Sequence, residues 1–473
     1  MTTIPVRNPR SGETDHWITP PTSAELDAIA ARLRAAQAGW ASEAIEARME
    51  RLKRWADALE ADQYAVAKAL EADTGRRRLA MLEVQGAIAS IRGWAVSAPQ
   101  LAPQSSWMEG RSNAQLKHTG QHVPYGLVGV ISPWNFPLTL SLIDAIPALA
   151  AGCAVIVKPS EVTPRFAEPL QRTLEQAGLS DLLSFTPGAG ETGQQIIARA
   201  DLVCFTGSVP TGKKVAAAAA ERLIPAFLEL GGKDPLIITE SADLDMAVTA
   251  ALRGSVLSAG QACQSIERIY VPASLHDAFL GKLVPAAEAV RLNWPYIEEG
   301  EIGPLIFEKQ ADIIAAQIED ARSKGARVLT GGAVETHGGG KWLRPTVIAD
   351  VDHSMTVMTE ETFGPVLPVM AYDGIDEAVS LANDTVYGLS AAVFAGDLEE
   401  AEAVARRLEA GAVSLNDAAL TALFYEAEKQ SFKASGLGPS RMGAAGLTRF
   451  FRRKALIANT GAPLGLEAFR EEG

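Results

Sequence analysis

Apolar residues recur at helical spacing through the first hundred positions. In the stretch TSAELDAIAARLRAAQAGW, Leu26, Ile29, Leu33, Ala36 and Trp40 fall on one face of a 3.6-residue period. Thr22 stands three residues before Glu25, the spacing of a capping box. The stretch ARMERLKRWADALEAD repeats the pattern with Leu52, Trp55 and Leu59. The first hundred residues are therefore expected to be helical, with packing as their role.

The period changes after residue 111. NAQLKHTGQHVPYG reads as a hairpin or a protruding ribbon. Beyond it, short apolar runs alternate with helical stretches: LVGVI at 127–131, AVIVK at 154–158, LLSFT at 182–186, LVCFT at 202–206 and PAFLEL at 225–230. Runs rich in Val, Ile, Leu and Phe on both faces imply a parallel sheet covered on both sides. The expectation is a doubly wound, Rossmann-like α/β domain. A second α/β unit runs from about 232 to 435 and includes ERIYV, ARVLT, GPVLPVMAY, SAAVFA and AVSLN. The tail GLTRFFRRKALIANT ends in an apolar strand. Strand edges there and in the ribbon are expected to pair with another subunit.

Composition narrows the function. At 473 residues with 47% apolar and 21% charged content, the chain has the make-up of a globular protein of two or three domains. No uninterrupted apolar run reaches the ~18 residues of a membrane span, and the N-terminus has no apolar leader pattern. A formal charge of −14 disfavours nucleic acid and anionic membranes as partners. Cys153, Cys204 and Cys263 are odd in number and far apart, which argues against a disulfide framework and for the cytoplasm. His118 and His122 lack nearby Cys, Asp or Glu partners, so no metal site is expected and both are read as solvent-exposed.

Ligands of open parallel sheets bind beyond the carboxyl ends of the strands. Those ends carry SPWNFP, KPSE, TPGAG, TGSVPTGKK and ELGGK. Gly207 and Ser208 open a strand-to-helix turn whose amides could hold a phosphate. Lys158 leaves the end of a strand three residues before Glu161: either a surface ion pair, or a pair placed to hold ribose hydroxyls. Asn135 lies in a rigid aromatic and proline turn, as a turn stabiliser or as a donor aimed at a reacting oxygen. Glu229 precedes two glycines as an ion-paired group or a base. Cys263, in GQACQS, is a small core residue or a nucleophile.

Taken together, PWNFP, VKPSE, FTGS, LELGGKDP, GQAC, EETFGPV and KASGLG, in that order over residues 133–438, resemble the NAD(P)-dependent aldehyde dehydrogenase superfamily, in its hydrolytic, non-CoA-acylating branch. The resemblance implies a Rossmann-type NAD-binding domain (1–110 and 125–231), a second α/β catalytic domain (232–440) and a small β oligomerisation element (111–124 and 441–473). It implies Cys263 as nucleophile, Asn135 with the Cys263 amide as oxyanion hole, and Glu229 as general base. Lys158 and Glu161 would bind the adenosine ribose, with Trp134, Gly207 and Ser208 along the cofactor. Glu361 would hold the nicotinamide ribose and Phe363 would pack beside the nicotinamide. The implied cofactor is NAD, with NADP possible, and the implied assembly a homodimer or homotetramer.

The implied chemistry needs this set. A thiolate adds to the aldehyde carbon, and the oxyanion of the adduct needs donors. Hydride then leaves for the nicotinamide, and water deprotonated by a carboxylate hydrolyses the thioester. One departure stands out. Where the family often has PFGG, this chain has YEAEKQSFKASG, which brings Lys429 to the expected substrate mouth. Lys429 faces either an anionic substrate tail or solvent, and solvent is the expectation. Phe136 and Ile143 point to an apolar tunnel for an aromatic or medium-chain aliphatic aldehyde. The alternatives are a semialdehyde dehydrogenase, a CoA-acylating enzyme, in whose branch the ELGG glutamate is typically missing, and a non-catalytic structural protein on the same scaffold.

Overall fold

A computed structural model describes residues 3–471, so the outermost ends of the two terminal segments assigned above, 1–2 and 472–473, lie outside it. The chain opens with an antiparallel hairpin, Ile4–Arg7 with Thr14–Ile18, and not with a helix. Its strands are too short to set up a readable alternation. Helices follow at Ser23–Ser42, Ile45–Ala61, Gln63–Thr74 and Arg77–Leu101. The capping box forms, with the Glu25 amide donating to Thr22 Oγ1 at 3.2 Å and the Thr22 amide donating to Glu25 Oε2 at 2.7 Å. Leu26, Leu33, Trp40, Leu52, Trp55 and Leu59 are all buried. Trp40 Nε1 donates to the Leu149 carbonyl at 2.8 Å and Trp55 Nε1 to Thr173 Oγ1 at 3.0 Å, so both indoles bury their rings without stranding a donor.

Six strands form the first sheet, in the order Gly436–Leu437, Ala226–Glu229, Leu202–Thr206, Leu127–Ile131, Ala154–Lys158, Leu183–Phe185. The last five are parallel. Strand order reverses between Leu127–Ile131 and Leu202–Thr206, which makes their carboxyl ends the crevice where such sheets take ligands. Cys153 and Cys204 are fully buried in this core, and burial pushes both thiols far up.

The second sheet has seven strands: Arg327–Thr330, Thr346–Ala349, Val366–Tyr372, Ile266–Pro272, Asp234–Ile238, Ala391–Phe394 and Val413–Leu415. Only Arg327–Thr330 runs antiparallel to its neighbour. Asp234–Ile238 and Thr346–Ala349 were not singled out by the pattern. Each is a four- or five-residue buried run beside a proline or glycine cluster, where strand and loop look alike.

The ribbon and the tail meet each other. Phe451–Asn459 pairs antiparallel along all of Leu116–Pro124, and Met108–Glu109 adds a third strand. Over nine residues the two segments thus pair with each other within one chain. Among the described residues no strand pairs with the outer edge of Phe451–Asn459, and Leu456 and Ile457 are exposed. The expectation for His122 is corrected, since it is half-buried with its ring edge-on to Phe451 at 6.3 Å.

Candidate active site

A cleft of about 1030 Å³ opens at the reversal point of the first sheet. Its lining includes Trp134, Asn135, Lys158, Glu161, Gly207, Ser208, Cys263, Glu361 and Phe363, which are 229 residues apart at the extremes of sequence. Phe307, from the start of the helix Glu308–Ser323, completes an aromatic wall: its ring lies 5.9 Å from Trp134, whose other neighbour, Phe363, lies edge-on at 5.3 Å. Phe136, Ile143, Glu229 and Lys429 are not among the residues that line this cleft. The Phe136 ring instead carries the Arg76 guanidinium at 5.0 Å.

Two segments meet at the floor. Asn135 is buried, and its amide Nδ2 donates to the Gln261 carbonyl at 3.0 Å. The amide is therefore partnered to the cysteine loop itself, with a second N–H still available to a ligand. The main chain of the turn is anchored separately: Arg76 donates to the Asn135 carbonyl at 2.6 Å, and Thr163 Oγ1 to the Trp134 carbonyl at 3.2 Å. Before the cysteine, Ser258, Ala259 and Gly260 all take positive φ values of 60°, 53° and 67°. For Ser and Ala this left-handed backbone costs about 1–2 kcal/mol each. Gln261 holds it, donating to the Ser258 and Pro304 carbonyls and accepting from the Ile306 amide at 2.8 Å. Arg76 also donates to Ser258 Oγ, so one buried arginine ties the asparagine turn to the cysteine loop. Gly260 admits no Cβ, because the Gly364 carbonyl occupies that space.

Cys263 is half-buried at the end of this loop. Burial pushes its thiol up to about 12; Lys429 works against that, while Glu361, Asp234 and Glu229 add to it. At neutral pH the group is a thiol that needs a proton acceptor or a nearby cation to react. Glu361 accepts from the Gly232 amide at 3.1 Å, and burial, then Glu267, push its carboxyl up to about 8. Gly231 and Gly232 are required by close approach: a Cβ on the first would sit 2.6 Å from Glu361 Oε2, and on the second 2.6 Å from the Cys263 carbonyl.

Glu229 ends its strand between Thr206 and Gly436. Its Oε2 accepts from Lys429 Nζ at 3.2 Å and from Ser431 Oγ at 2.9 Å, and Arg441 Nε lies 4.0 Å from Oε1. Burial pushes this carboxyl up, but Lys429, Arg441 and Ser431 together outweigh it and hold it below its ordinary value. Lys429 is 6% exposed, which overturns the expectation that it faces solvent. The polar context of EAEKQS gave no sign that the chain would fold back over the Glu229 strand. Lys158 is buried as well, donating to the Pro159 and Gly188 carbonyls and to Glu161 Oε2 at 3.1 Å, while Glu161 remains partly exposed.

The model of the aldehyde dehydrogenase family matches residues 1–456. The chain belongs to this family. As a member it is an oxidoreductase acting on aldehydes. A protein of Mycolicibacterium smegmatis, provisionally named succinate-semialdehyde dehydrogenase [NADP(+)], is 38% identical over 454 residues, 94% of this chain and 87% of its own length. Betaine aldehyde dehydrogenase of Cereibacter sphaeroides is 36% identical over 97% of this chain and 94% of its own. Among solved structures, PutA of Anabaena variabilis, provisionally an aldehyde dehydrogenase, superposes with a TM-score of 0.95 at 52% identity, covering 98% of this chain and 99% of its own. Betaine aldehyde dehydrogenase of Staphylococcus aureus, solved in complex with NAD+, superposes with a TM-score of 0.92 at 30% identity, covering 98% and 93%.

The cleft rests on a buried frame that motif reading passed over. Lys233 Nζ donates to Glu267 Oε2 and to Thr362 Oγ1, both at 2.8 Å, and Glu267 accepts from the Thr362 and Phe363 amides at 2.8 Å. This pair locks Phe363, at a φ of 53°, to the ELGGK segment. Arg76, Phe307 and Glu267 stand in stretches with no signature of their own, so only their proximity in space marks them.

Proposed function

We propose that the protein oxidises an apolar aldehyde, aromatic or medium-chain aliphatic, to its carboxylic acid through a covalent adduct on Cys263, with NAD as cofactor. The observation that carries the reading is the single cleft at the sheet reversal, where Cys263 and Asn135 line the same space as Lys158, Glu161, Ser208, Glu361 and Phe363. The residues present fit a dinucleotide. The first sheet offers its reversal point, the helix Val209–Glu221 offers an N-terminus with no side-chain cap, and Ser208 Oγ is turned to Thr211 Oγ1 at 3.1 Å. Lys158 and Glu161 would hold the adenosine ribose, Glu361 the other ribose, and Trp134, Phe307 and Phe363 wall a flat ring. When bound, the nicotinamide supplies the hydride acceptor and a positive charge near the thiol.

The chain's own groups do the rest. Cys263 sulfur adds to the aldehyde carbon as its proton passes to solvent water. The free N–H of Asn135 and the Cys263 amide take the oxygen as it becomes charged. After oxidation to the thioester, Glu229 receives a proton from water, whose oxygen attacks the carbonyl carbon. Retention of Glu229 supports hydrolysis over transfer to a thiol cofactor. In this reading the first sheet with its helices is the cofactor domain and the second the catalytic domain, and the three-stranded ribbon and tail join subunits in a homodimer or homotetramer. A cytoplasmic setting belongs to the same reading, resting on three free cysteines.

An exposed apolar segment tied to the cysteine loop supports the substrate class. Thr421 Oγ1 donates to Gln264 Oε1, so the segment that carries the exposed Leu423, Phe424 and Tyr425 leans on the residue next to the cysteine. A semialdehyde reading is favoured by the name of the 38% identical relative, but Lys429, the cation once available for an anionic tail, is committed to Glu229. NADH formation with benzaldehydes, aliphatic aldehydes and succinate semialdehyde separates the two, and higher kcat/KM for the semialdehyde decides against us. Cys263→Ala is expected to abolish turnover with NAD binding intact; substantial oxidation by that variant sinks the covalent route.

A further inference from the structure

We propose that Lys429 is a positioning residue of the reaction: its buried ion pair with Glu229 neutralises the carboxylate beside Cys263 and keeps Glu229 ionised as the proton acceptor. The proposal rests on the roles given to Cys263 and Glu229 above. Lys429 is buried and Glu229 mostly so, with side chains 3% and 14% exposed, and the pair is joined by Ser431 Oγ, which donates to Glu229 Oε2 and lies 3.3 Å from Lys429 Nζ. Lys429 is fixed from the main chain too, its amide donating to Ser440 Oγ at 3.1 Å.

Charge around the pair explains why such a residue is needed. The charges of Glu361, Asp234 and Glu229 each disfavour a thiolate at Cys263, and that of Lys429 opposes them. Glu229 faces Lys429 and Arg441, and Asp144 engages Arg441 at 3.1 Å and also Arg449. Arg441 is thereby shared with another carboxylate, whereas Lys429 is committed to Glu229. Two anions forming side by side in a partly dry site repel strongly. With Lys429 paired to Glu229, sulfur can lose its proton to solvent water without Glu229 first taking it. In the later step water gives its proton to Glu229, its oxygen bonds to the thioester carbon, and the C–S bond breaks with its electron pair returning to Cys263, again beside Lys429.

The signs follow. Burial raises the Glu229 carboxyl and Lys429 is the first group that lowers it, so removing the lysine moves Glu229 up. Glu229 is then protonated, and inactive as a base, at pH values where the native group is charged. Lys429→Met, Lys429→Arg, Glu229→Gln and the Lys429→Met/Glu229→Gln double variant test this. Single-turnover decay of the acyl-enzyme, followed by quench and mass spectrometry, is expected to lose its acid limb at least one pH unit higher in Lys429→Met, with Lys429→Arg close to native. Alkylation of Cys263 by iodoacetamide at pH 8 is expected to slow at least fivefold in Lys429→Met, to accelerate at least fivefold in Glu229→Gln, and to return near native in the double variant. A folded Lys429→Met with native decay profile and native alkylation overturns the proposal, and so does a Glu229→Gln alkylation rate equal to native if Lys429→Met does not fold. Turnover surviving in Cys263→Ala would instead remove the roles beneath it.

Discussion

Replacing Asn135 by alanine is expected to lower kcat by about 10²–10³ while leaving NAD affinity within a few-fold. Losing one oxyanion donor costs about 3–4 kcal/mol of transition-state stabilisation. The structure predicts a smaller, separable effect on stability. The Asn135 amide satisfies the buried Gln261 carbonyl at 3.0 Å, and leaving that acceptor unpaired costs about 1–3 kcal/mol. The turn itself should persist, because Arg76 donates to the main-chain oxygen of residue 135, which alanine retains. Stopped-flow measurement of the first NADH turnover at saturating NAD reads the chemical step, and thermal melting with NAD titration reads the other two terms. A fall below fivefold, or one that merely follows the unfolded fraction or the loss of NAD affinity, would mean that Asn135 only shapes its turn.

NAD should be preferred over NADP, because a 2′-phosphate within ~4 Å of Glu161 meets a like charge worth on the order of 4 kcal/mol at an effective dielectric near 20, which Lys158 offsets only in part; equal kcat/KM for both cofactors refutes it, and Glu161→Gln should narrow the gap. Lys233→Met is expected to destabilise the protein by about 3–5 kcal/mol, since it leaves Glu267 buried and unpaired, and urea melting should show part of the loss recovered by adding Glu267→Gln. Truncation after Arg453 removes six of the nine residues paired with Leu116–Pro124 and should yield smaller or aggregating species with lower activity. A full-length monomer at micromolar concentration in light scattering would count against assembly through this sheet.

Helical spacing in the first hundred residues identified Leu26, Leu33, Trp40, Leu52, Trp55 and Leu59 as buried, with Ile29 and Ala36 at the half-buried margin, because period and burial go together in an amphipathic helix. The five parallel strands of the first sheet were legible for a similar reason: strands buried on both faces read as continuous apolar runs. The hairpin before Thr22 and the strands Asp234–Ile238 and Thr346–Ala349 were not, since runs of four or five residues carry too few positions to show a period.

The sequence by itself singled out the candidate residues. Cys263, Asn135, Glu229, Lys158, Glu161, Glu361 and Phe363 sit in short local motifs whose residue types are dictated by backbone turns and close approaches, and such requirements are written into neighbouring positions. Tertiary structure alone decided the electrostatics. Lys429 is 200 positions from Glu229, and nothing local to EAEKQS separates a solvated lysine from a buried one. Glu267 on Lys233, Arg76 on Ser258 and the Asn135 carbonyl, and the tail on its own ribbon are likewise products of folding. A charge takes its function from what the fold places against it, because desolvation and Coulomb attraction depend on distance in space and not on distance along the chain.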